Sequence, residues 1–429
     1  MMDKLKKISL GNWILIGMVL GLITGLFLNF YVKNPFIKDI VLMNNVFYLG
    51  GNVFIKLMKM LVVPLVFFSI VVGVASISDI RKIGKIGGMT IGIYLLTTAL
   101  AVIIALGIGM AIKPGLGLNM ASMASAANVT AAQSAPDTIL NFIPDNPLSA
   151  LANGDMIPII IFGVLIGYIL AKLREQTQVV NDFFEQSNHI MMEMTSIVMK
   201  FAPIGVFCLM AKTFGSLGFE AILPLGKYVL CVLIGLAIQG FVVYPALLVV
   251  FTRLNPLKFF KKFVSVMLFA FSSSASNATI PLNINKLSDM GVSRDVSSFT
   301  IPLGATINMD GTSIMQGVAV MFAAQAYGID LGTSALLTVI FTAVMASVGT
   351  AGVPSVGLVT LTMVFESVGL PVAAIGVIFG IDHILDMFRT AVNVTGDAIC
   401  TIIVSLRNNG MDKDVFNGKK EPVKTETII

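Results

Sequence analysis

Residues 382–397 read Asp382-His-Ile-Leu-Asp386-Met-Phe-Arg389-Thr-Ala-Val-Asn393-Val-Thr-Gly-Asp397 and lie inside an apolar segment that runs from 370 to 405. The five numbered residues are four, three, four and four positions apart, so a helix would carry them as one stripe on one face. An Asp or Arg at the centre of a membrane costs roughly 2.5–3.5 kcal/mol on insertion scales. Such a stripe therefore indicates a functional site, with a structural ion-pair seam between helices as the alternative reading.

The composition places the chain in a membrane. Hydrophobic residues make up 56% of the chain and charged residues 12%, whereas average protein composition is about 45–50% apolar. We interpret the chain as an all-α polytopic membrane protein. The net charge of +5 does not indicate a nucleic-acid partner, because the basic residues collect in particular loops. Cys208, Cys231 and Cys400 lie in apolar segments without metal-ligand spacing and are interpreted as buried small hydrophobic residues.

The apolar segments predict eight transmembrane helices and two re-entrant helical hairpins. Lys and Arg concentrate in alternate loops, so the positive-inside rule predicts cytoplasmic N- and C-termini. We expect a multi-pass protein of a cell (inner or plasma) membrane. Gly17, Gly21 and Gly25 form a small-residue face on the first helix, which predicts close helix packing. The eight predicted helices cover 10–31, 44–77, 86–112, 156–173, 190–212, 222–251, 299–324 and 370–405.

The two predicted hairpins, 263–282 and 332–369, each begin and end on one side of the predicted membrane. The centre of the first, 272–281, is rich in Ser and ends with Pro281, and the centre of the second, 347–357, contains three Gly and Pro354. Pro removes a backbone donor and Gly weakens a helix. Irregular backbone at membrane depth is tolerated only where it is buried in protein or lines a cavity. Each hairpin precedes a long helix with a polar core, which predicts inverted repeats with the binding sites at their interface.

If the solute of this stripe is an acidic amino acid, its amine and its two carboxylates each find a partner of suitable charge or hydrogen bonding. A guanidinium is the best planar partner for a carboxylate, so Arg389 is assigned to the side-chain carboxylate of the substrate. Asp386 lies one turn before Arg389 and would bind the ammonium group. Asn393 lies one turn after and would donate to the α-carboxylate, while Thr390 and Thr312 would supply hydroxyl groups.

The same pairing bears on the other substrates and classes. A C4-dicarboxylate has no amine to match Asp386, and a neutral amino acid has no carboxylate to match Arg389. Cystine stays open, because it carries extra charged groups at its far end. An ion channel would also use broken hairpins. An intramembrane enzyme could use Asp382 and Asp386 as an acid–base pair, but the nearby guanidinium should keep Asp386 ionised, so we expect no enzyme activity.

The chain resembles the dicarboxylate/amino acid:cation symporter family, which includes the sodium-coupled glutamate and aspartate transporters. The resemblance extends over essentially the whole chain and is most specific in the C-terminal half. At the first hairpin tip, Ala275 and Asn277 stand where many relatives carry serine, which leaves affinity and gating open. The motifs that carry the resemblance are the Ser-rich 272–281, Asn308-Met-Asp310-Gly-Thr312, Thr350-Ala-Gly-Val-Pro354 and the stripe 382–397.

The resemblance implies a homotrimer in the lipid bilayer and an elevator-type mechanism. A scaffold would comprise 1–83 and 113–221, and a sliding transport domain would comprise 84–112 and 222–407. Residues 408–429 would form a polar cytoplasmic tail. The implied function is secondary active uptake of L-aspartate or L-glutamate coupled to Na⁺. Proton coupling, or sodium-coupled uptake of cystine or a C4-dicarboxylate, are the alternatives.

The resemblance also implies further site residues. Backbone at the hairpin tips, near Ser276 and at Val353 and Gly357, would complete the substrate site, and Asp382 would orient Arg389. Hard cations take oxygen ligands from carboxylates and carbonyls. By resemblance, a first sodium site uses Asp397 with Gly304, Asn308 and Asn393, a second uses Thr306, Ser347, Val348 and Thr350, and a third uses Asp310 and Asn308 with Tyr94, Thr97 and Thr98.

Overall fold

A computed structural model of the chain describes residues 10–32, 34, 36–76, 85–118, 120, 143–218, 222–348 and 356–421. The named elements within these ranges are helices, and an isolated antiparallel bridge joins Val292 to Met411. A helix pairs its backbone N–H and C=O groups internally, which an apolar bilayer demands. The all-α fold predicted from the composition is therefore confirmed.

The described part of the N-terminal half contains seven α-helices. In chain order they are α1 (Leu10–Tyr31), α2 (Tyr48–Ser76), α3 (Lys85–Ile112), α4 (Pro147–Asn153), α5 (Met156–Leu173), α6 (Gln178–Met199) and α7 (Ala202–Leu217). A π-helical segment, Phe36–Phe47, leads directly into α2. The small-residue face of α1 packs on α7 as predicted, because a Cβ added at Gly21 would lie only 2.6 Å from the carbonyl oxygen of Phe207.

The described part of the C-terminal half contains ten. They are α8 (Ile222–Ile238), α9 (Tyr244–Thr252), α10 (Pro256–Ser273), α11 (Ser276–Asp289), α12 (Arg294–Ile307), α13 (Asp310–Tyr327), α14 (Thr333–Ser347), α15 (Val356–Ser367), α16 (Ala373–Arg407) and α17 (Lys413–Asn417). A π turn, Gln239–Val243, joins α8 to α9 in one continuous span. Helices α3, α8, α12 and α13 all pack against α16, so the polar stripe lies in the interior of this half.

Several helices are long and apolar enough to cross a membrane. Four of them pass by length and composition in the described ranges, and a bent pair makes a fifth. The first and fourth predicted spans are present as α1 and α5, whose qualifying apolar portions are shorter. The four long spans are Val41–Ala75, Ile86–Ile112, Ile222–Thr252 and Ile384–Arg407.

The fifth predicted span is not a single helix. Residues 190–212 fall on α6 and α7, which are bent by 52° relative to each other. Pro203 lies in the first turn of α7. Proline has no N–H, and its ring clashes with the carbonyl of the residue four positions earlier, here Met199, where α6 ends. The prediction of one helix over 190–212 was wrong, because Pro203 prevents α6 from continuing as a regular helix into α7.

The seventh predicted span is also broken, at its centre. Residues 299–324 were predicted as one helix, but α12 ends at Ile307 and α13 starts at Asp310. Asn308 (φ −104°, ψ 78°) and Met309 (φ −110°, ψ 55°) between them lie outside the helical region. A break leaves the last carbonyls of one helix and the first N–H groups of the next without intrahelical partners. These groups are therefore available in the middle of the fold.

The predicted hairpins are each a pair of packed helices. In the first, α10 packs on α11, and the turn between them consists of Ser274 at φ +50° and the extended residue Ala275. In the second, α14 packs on α15, and residues 349–355 between them lie outside the described ranges. The helix–turn–helix form predicted for the first hairpin is confirmed. Re-entry from one membrane face remains a prediction for both.

The chain folds back on itself after α16. We call residues 410–417 the tail clasp. Its backbone joins the turn before α12, where Ser293 N donates to Gly410 O at 2.7 Å. The amine of Lys262 in α10 donates to the carbonyl of Phe416 at 2.8 Å, and the Phe416 ring is fully buried. Lys413 Nζ donates to Thr252 O at the end of α9. The clasp therefore ties together the ends of α9 and α16 and the base of the first hairpin.

Candidate functional site

Arg389 lies in the middle of α16 between two carboxylates. Its Nη1 donates to Asp382 Oδ1 at 2.6 Å and its Nη2 to Asp382 Oδ2 at 3.1 Å. Nη2 also donates to Asp386 Oδ1 at 2.7 Å. The side chains of Arg389 and Asp382 are 0% and 1% exposed. A bidentate, charge-assisted pair of this kind fixes the plane of the guanidinium.

The Nε atom of Arg389 is buried and has no hydrogen-bond partner among the described residues. A buried donor without a partner is destabilising, and such a group in a folded protein calls for an explanation. Because this N–H belongs to a cation, an anionic oxygen would satisfy it best. The arrangement can therefore accept a carboxylate while Asp382 keeps the guanidinium in place.

The N-terminus of α13 lies against this part of α16. The backbone N–H of Gly311 donates to Asn393 Oδ1 at 2.7 Å. A Cβ added at Gly311 would lie 2.7 Å from the carbonyl oxygen of Arg389 and 2.9 Å from its Cα. Only glycine fits this backbone contact, so the break before α13 is what brings its first turn onto the polar stripe. The side-chain oxygen of Asn393 is thereby occupied.

The remaining predicted substrate residues lie close to this centre. Thr390 Oγ1 donates to the carbonyl of Asp386 at 2.8 Å. Thr312, 6% exposed, follows Gly311 in α13, and a Cβ added at Gly357 would lie 2.7 Å from Thr312 Cγ2. The start of α15 is therefore in contact with the first turn of α13.

Of the two predicted hairpin tips, the structure describes one. Ser276 is the first residue of α11 and is buried. The first hairpin packs on α16 through an edge-on contact between the rings of Phe271 and Phe388, whose centroids are 4.9 Å apart. Val353 and Thr350 fall within 349–355, outside the described ranges, so their predicted roles stay predictions.

Asp397 marks the first predicted cation site. It lies two turns after Arg389 on α16 and is 1% exposed. Its Oδ1 accepts a hydrogen bond from Asn308 Nδ2 at 2.9 Å. A Cβ added at Gly304 would lie 2.5 Å from the same Oδ1. The carboxylate therefore contacts the last turn of α12 and the helix break, where carbonyl oxygens lack intrahelical donors.

Asp310 marks the third predicted site and gathers oxygen atoms from two helices. Thr98 Oγ1 donates to Asp310 Oδ1 at 2.7 Å, and Thr97 Oγ1 lies 3.4 Å from the same oxygen. Thr97 Oγ1 also lies 3.1 Å from Asn308 Oδ1. Tyr94 differs, because its hydroxyl donates to the carbonyl of Thr300 at 2.9 Å. The cluster offers a carboxylate, an amide oxygen and two hydroxyls, which are the ligands hard cations prefer.

The second predicted site has fewer described members. The hydroxyl of Ser347 donates to the carbonyl of Ile307, the last residue of α12. Val348 caps the end of α14, and Thr306 bonds within its own helix, to the carbonyl of Leu303 at 3.0 Å. The structure thus places the end of α14 against the helix break. The ligand roles of these residues remain predictions.

Two residues that the sequence reasoning missed bind the other oxygen of Asp310. Gln239 Nε2 and Tyr244 OH each donate to Asp310 Oδ2 at 2.8 Å. Both residues are 0% exposed. The carboxylate therefore accepts hydrogen bonds at both oxygens, and one of these oxygens is held from the α8–α9 span alone.

The spacing of this pair explains why it was missed. Residues five apart on an α-helix differ by about 140° in direction and do not share a face. A π turn lies between the two residues, and the backbone N–H of Tyr244 donates to the carbonyl of Gln239. This i to i+5 bond stacks the two residues on one side of the helix. The available signal was an isolated glutamine in an otherwise apolar span.

A cavity of about 560 Å³ lies apart from these residues. It is bounded by α2, α7 and the start of α16, and Lys56, Lys212 and Glu366 are among its lining residues. Its lining does not include the predicted site residues that the structure describes. The chemistry of the polar stripe and the volume of this cavity are therefore separate features.

The fold and the site together define a class. The charged side chains buried within the described ranges are four aspartates and one arginine: Asp310, Asp382, Asp386, Asp397 and Arg389. If all are ionised, four carboxylates against one guanidinium leave three negative charges. Buried charge requires partners of opposite sign. The molecule is a helical membrane protein with a cluster of charged side chains in its interior.

The comparisons with known proteins agree with this class. A profile of the Sodium:dicarboxylate symporter family matches residues 10–406. The chain belongs to this family, and the relation covers all helices that build the site. The family predicted from the four motifs is therefore confirmed.

Relatives with described functions align along nearly the full chain. A protein of Geobacillus stearothermophilus named Proton/sodium-glutamate symport protein is 36% identical over 411 residues, which are 94% of this chain and 95% of the relative. The Proton/glutamate-aspartate symporter of Escherichia coli (strain K12) is 34% identical over 95% of this chain and 94% of its own length. A Bradyrhizobium diazoefficiens protein named C4-dicarboxylate transport protein 3 is 32% identical over 97% of this chain and 94% of its own length.

Proposed function

We propose that the protein is a secondary active symporter that takes up L-aspartate or L-glutamate together with Na⁺. The observation that carries the proposal is the buried Arg389, which is held by Asp382 and has one N–H without a hydrogen-bond partner among the described residues. A fully buried guanidinium of this kind is suited to bind a substrate carboxylate. The names of the relatives from Geobacillus stearothermophilus and Escherichia coli support the same substrate class.

The carboxylate of Asp386 discriminates among anionic substrates. Asp386 is paired with Arg389 at 2.7 Å. A substrate that carries both an ammonium and a carboxylate can exchange this internal pair for two new ones, one to each residue, so that neither charge is left unpaired. A C4-dicarboxylate offers Arg389 a carboxylate but has no ammonium group to pair with Asp386. One relative is named a C4-dicarboxylate transporter, but the Asp386–Arg389 pair favours the amino acid.

The buried charge supports the coupling to cations. If the four buried carboxylates are ionised, a substrate with a net charge of −1 would add to three uncompensated negative charges in the described interior. Moving such a complex through a bilayer is unfavourable unless cations accompany it. We assign these cations to the oxygen clusters around Asp397, Asp310 and the end of α14, and we propose that they are Na⁺. Proton coupling is the second candidate, because the Geobacillus stearothermophilus relative is named for both ions and the Escherichia coli relative for the proton alone.

The mechanism that we propose is an elevator motion within a homotrimer. Residues 84–112 and 222–407 would move as the transport domain against the scaffold 1–83 and 113–221. The packing of α3, α8, α12 and α13 on α16 supports the first of these groups. The distribution of Lys and Arg supports cytoplasmic termini in an inner or plasma membrane.

The test is uptake of radiolabelled L-aspartate by the purified protein in liposomes, with a Na⁺ gradient and a proton gradient imposed separately. We expect accumulation with the inward Na⁺ gradient and none with the proton gradient alone. Accumulation that depends on the proton gradient and not on Na⁺ would replace Na⁺ by H⁺. Failure of both gradients to drive aspartate or glutamate would refute the proposal. Competition by L-glutamate, cystine and succinate ranks the substrates.

A further inference from the structure

We propose that Gln239 and Tyr244 are positioning residues of the Asp310 cation site and set its affinity for Na⁺. The inference rests on the proposed function, because it takes Asp310 to be a cation ligand. Neither residue was assigned a role by the motifs, and neither belongs to the polar stripe. They act through the carboxylate of Asp310, which they hold from the π turn of the α8–α9 span.

The two oxygens of Asp310 have different hydrogen-bond partners. Oδ2 accepts from Gln239 Nε2 and Tyr244 OH, each at 2.8 Å. Oδ1 faces a different set, the hydroxyls of Thr97 and Thr98. Two donors on Oδ2 prevent the carboxylate from rotating about its χ2 bond. Oδ1 then keeps one position, next to the amide oxygen of Asn308 and the hydroxyl oxygens that a cation would share.

The amide of Gln239 is the second feature that supports this role. Its Nε2 is bonded to Asp310, but its Oε1 is buried without a hydrogen-bond partner among the described residues. A glutamine kept only for packing would be expected to satisfy both ends, because an unpaired polar atom in an apolar interior is unfavourable. An unsatisfied buried polar atom in a native protein calls for an explanation, and for Gln239 the bond of its other end to Asp310 supplies one. The residue therefore has a role beyond filling space.

The third feature is the π turn in the backbone of the α8–α9 span. A π turn is rare and interrupts the regular hydrogen bonding of a helix, and such turns are frequent at functional sites. Here it brings residues 239 and 244 onto one side of the span, as the backbone bond between them indicates. In a regular α-helix the tyrosine would point about 140° away from the glutamine. The irregularity of the span is thus what allows both side chains to reach one oxygen.

The test uses two variants that each remove one of these hydrogen bonds. Tyr244→Phe deletes one oxygen atom and keeps the buried ring, and Gln239→Met removes the amide at similar volume. The control is Tyr228→Phe, also in the α8–α9 span. Tyr228 is fully buried and its hydroxyl has no hydrogen-bond partner among the described residues, so the control removes the same atom without removing a bond.

Two quantities are measured for the purified full-length protein. One is the thermal midpoint as a function of NaCl, against choline chloride, without substrate. The other is L-aspartate uptake in liposomes as a function of Na⁺, and as a function of aspartate at saturating Na⁺. We expect each variant to raise the half-maximal Na⁺ concentration about tenfold in both assays, since a hydrogen bond to a charged group is stronger than a neutral one. The KM for aspartate at saturating Na⁺ and the Tyr228→Phe control should stay at wild-type values.

The outcomes separate this inference from the proposed function. If the wild type responds to Na⁺ and both variants titrate like it, the positioning role is refuted and the symporter remains. A variant that lowers the thermal midpoint in choline but leaves the half-maximal Na⁺ concentration unchanged would show a purely structural role, which also refutes the inference. If wild-type uptake is indifferent to Na⁺, the sodium coupling itself fails.

Discussion

Arg389 carries the one positive charge among the buried charged side chains of the described ranges. Its removal takes away the ion-pair partner shown for Asp382 and Asp386 and the proposed partner of the substrate carboxylate. Truncating one partner of a buried charge pair across an interface costs about 2–5 kcal/mol of binding. We expect Arg389→Thr to reduce L-aspartate uptake by roughly two to three orders of magnitude, because each 1.4 kcal/mol is a factor of ten. Neutral amino acids such as L-serine should gain relative to aspartate.

Liposome uptake of both substrates measures this change in preference. The matched control is Arg407→Thr, at the exposed end of the same helix, which should retain aspartate uptake. Aspartate uptake that survives Arg389→Thr at the wild-type rate would remove Arg389 from the substrate site.

The spacing of individual residues predicted part of the site. Asp382, Asp386 and Arg389 were assigned to one helix face from their spacing, and the structure places them in contact. Gln239 and Tyr244 could not be found in that way, because residues five apart on a regular α-helix point about 140° away from each other. Only the i to i+5 backbone bond of the π turn makes them neighbours.

At the level of elements, the contact between α13 and α16 depends on one missing side chain. A Cβ at Gly311 would lie 2.7 Å from a backbone oxygen of α16, which cannot move aside as a flexible side chain could. We expect Gly311→Ala to destabilise the protein by about 1–3 kcal/mol, as overpacking does. The purified variant should unfold at a lower temperature and bind L-aspartate more weakly.

The control for this prediction is another helical glycine. Gly92 in α3 has no atom within 4 Å of the position its Cβ would take. Because alanine is favoured over glycine in a helix by about 1 kcal/mol, Gly92→Ala should leave stability unchanged or raise it. Equal thermal midpoints for Gly311→Ala and the wild type would contradict the close contact.

The existence of the elements was easier to predict than their interruptions. Long apolar segments predicted the helices, and Ser274, Ala275 and Pro281 lie within the Ser-rich segment that predicted a break in the first hairpin. The break at Asn308 and Met309 was missed, because neither residue is a strong helix breaker. Tertiary contacts favour this break, since it lets Asn308 reach Asp397 and lets Gly311 reach Asn393.

At the level of the whole molecule, the tail clasp links the end of the described chain to distant segments. Phe416 is fully buried in the same apolar cluster as Phe259 and Phe263. Truncating a buried phenylalanine to alanine costs about 3–5 kcal/mol. We expect Phe416→Ala to lower the thermal midpoint of the purified protein, because the base of the first hairpin loses its contact with the clasp.

Lys419→Ala is the control for this prediction. Lys419 is 73% exposed and lies 3.8 Å from Asp414, a surface pair that contributes about 0–1 kcal/mol. Its removal should leave the thermal midpoint nearly unchanged. A midpoint for Phe416→Ala that matches this control would show that the clasp does not stabilise the fold. The sequence predicted only a polar tail here, since five residues of helix are too few to recognise.

The amide of Asn308 contacts both of the oxygen clusters that we propose as cation sites, the one around Asp397 and the one around Asp310. Its nitrogen is bonded to Asp397 and its oxygen lies beside Thr97. An amide is planar, so any rotation that adjusts one end displaces the other. A cation bound in either cluster therefore favours the geometry that the other cluster needs. By thermodynamic linkage, each cation then raises the affinity of the other cluster by the same factor. Occupancy should consequently rise as a sigmoid rather than a hyperbola, which favours fully loaded or fully empty carriers over half-filled ones.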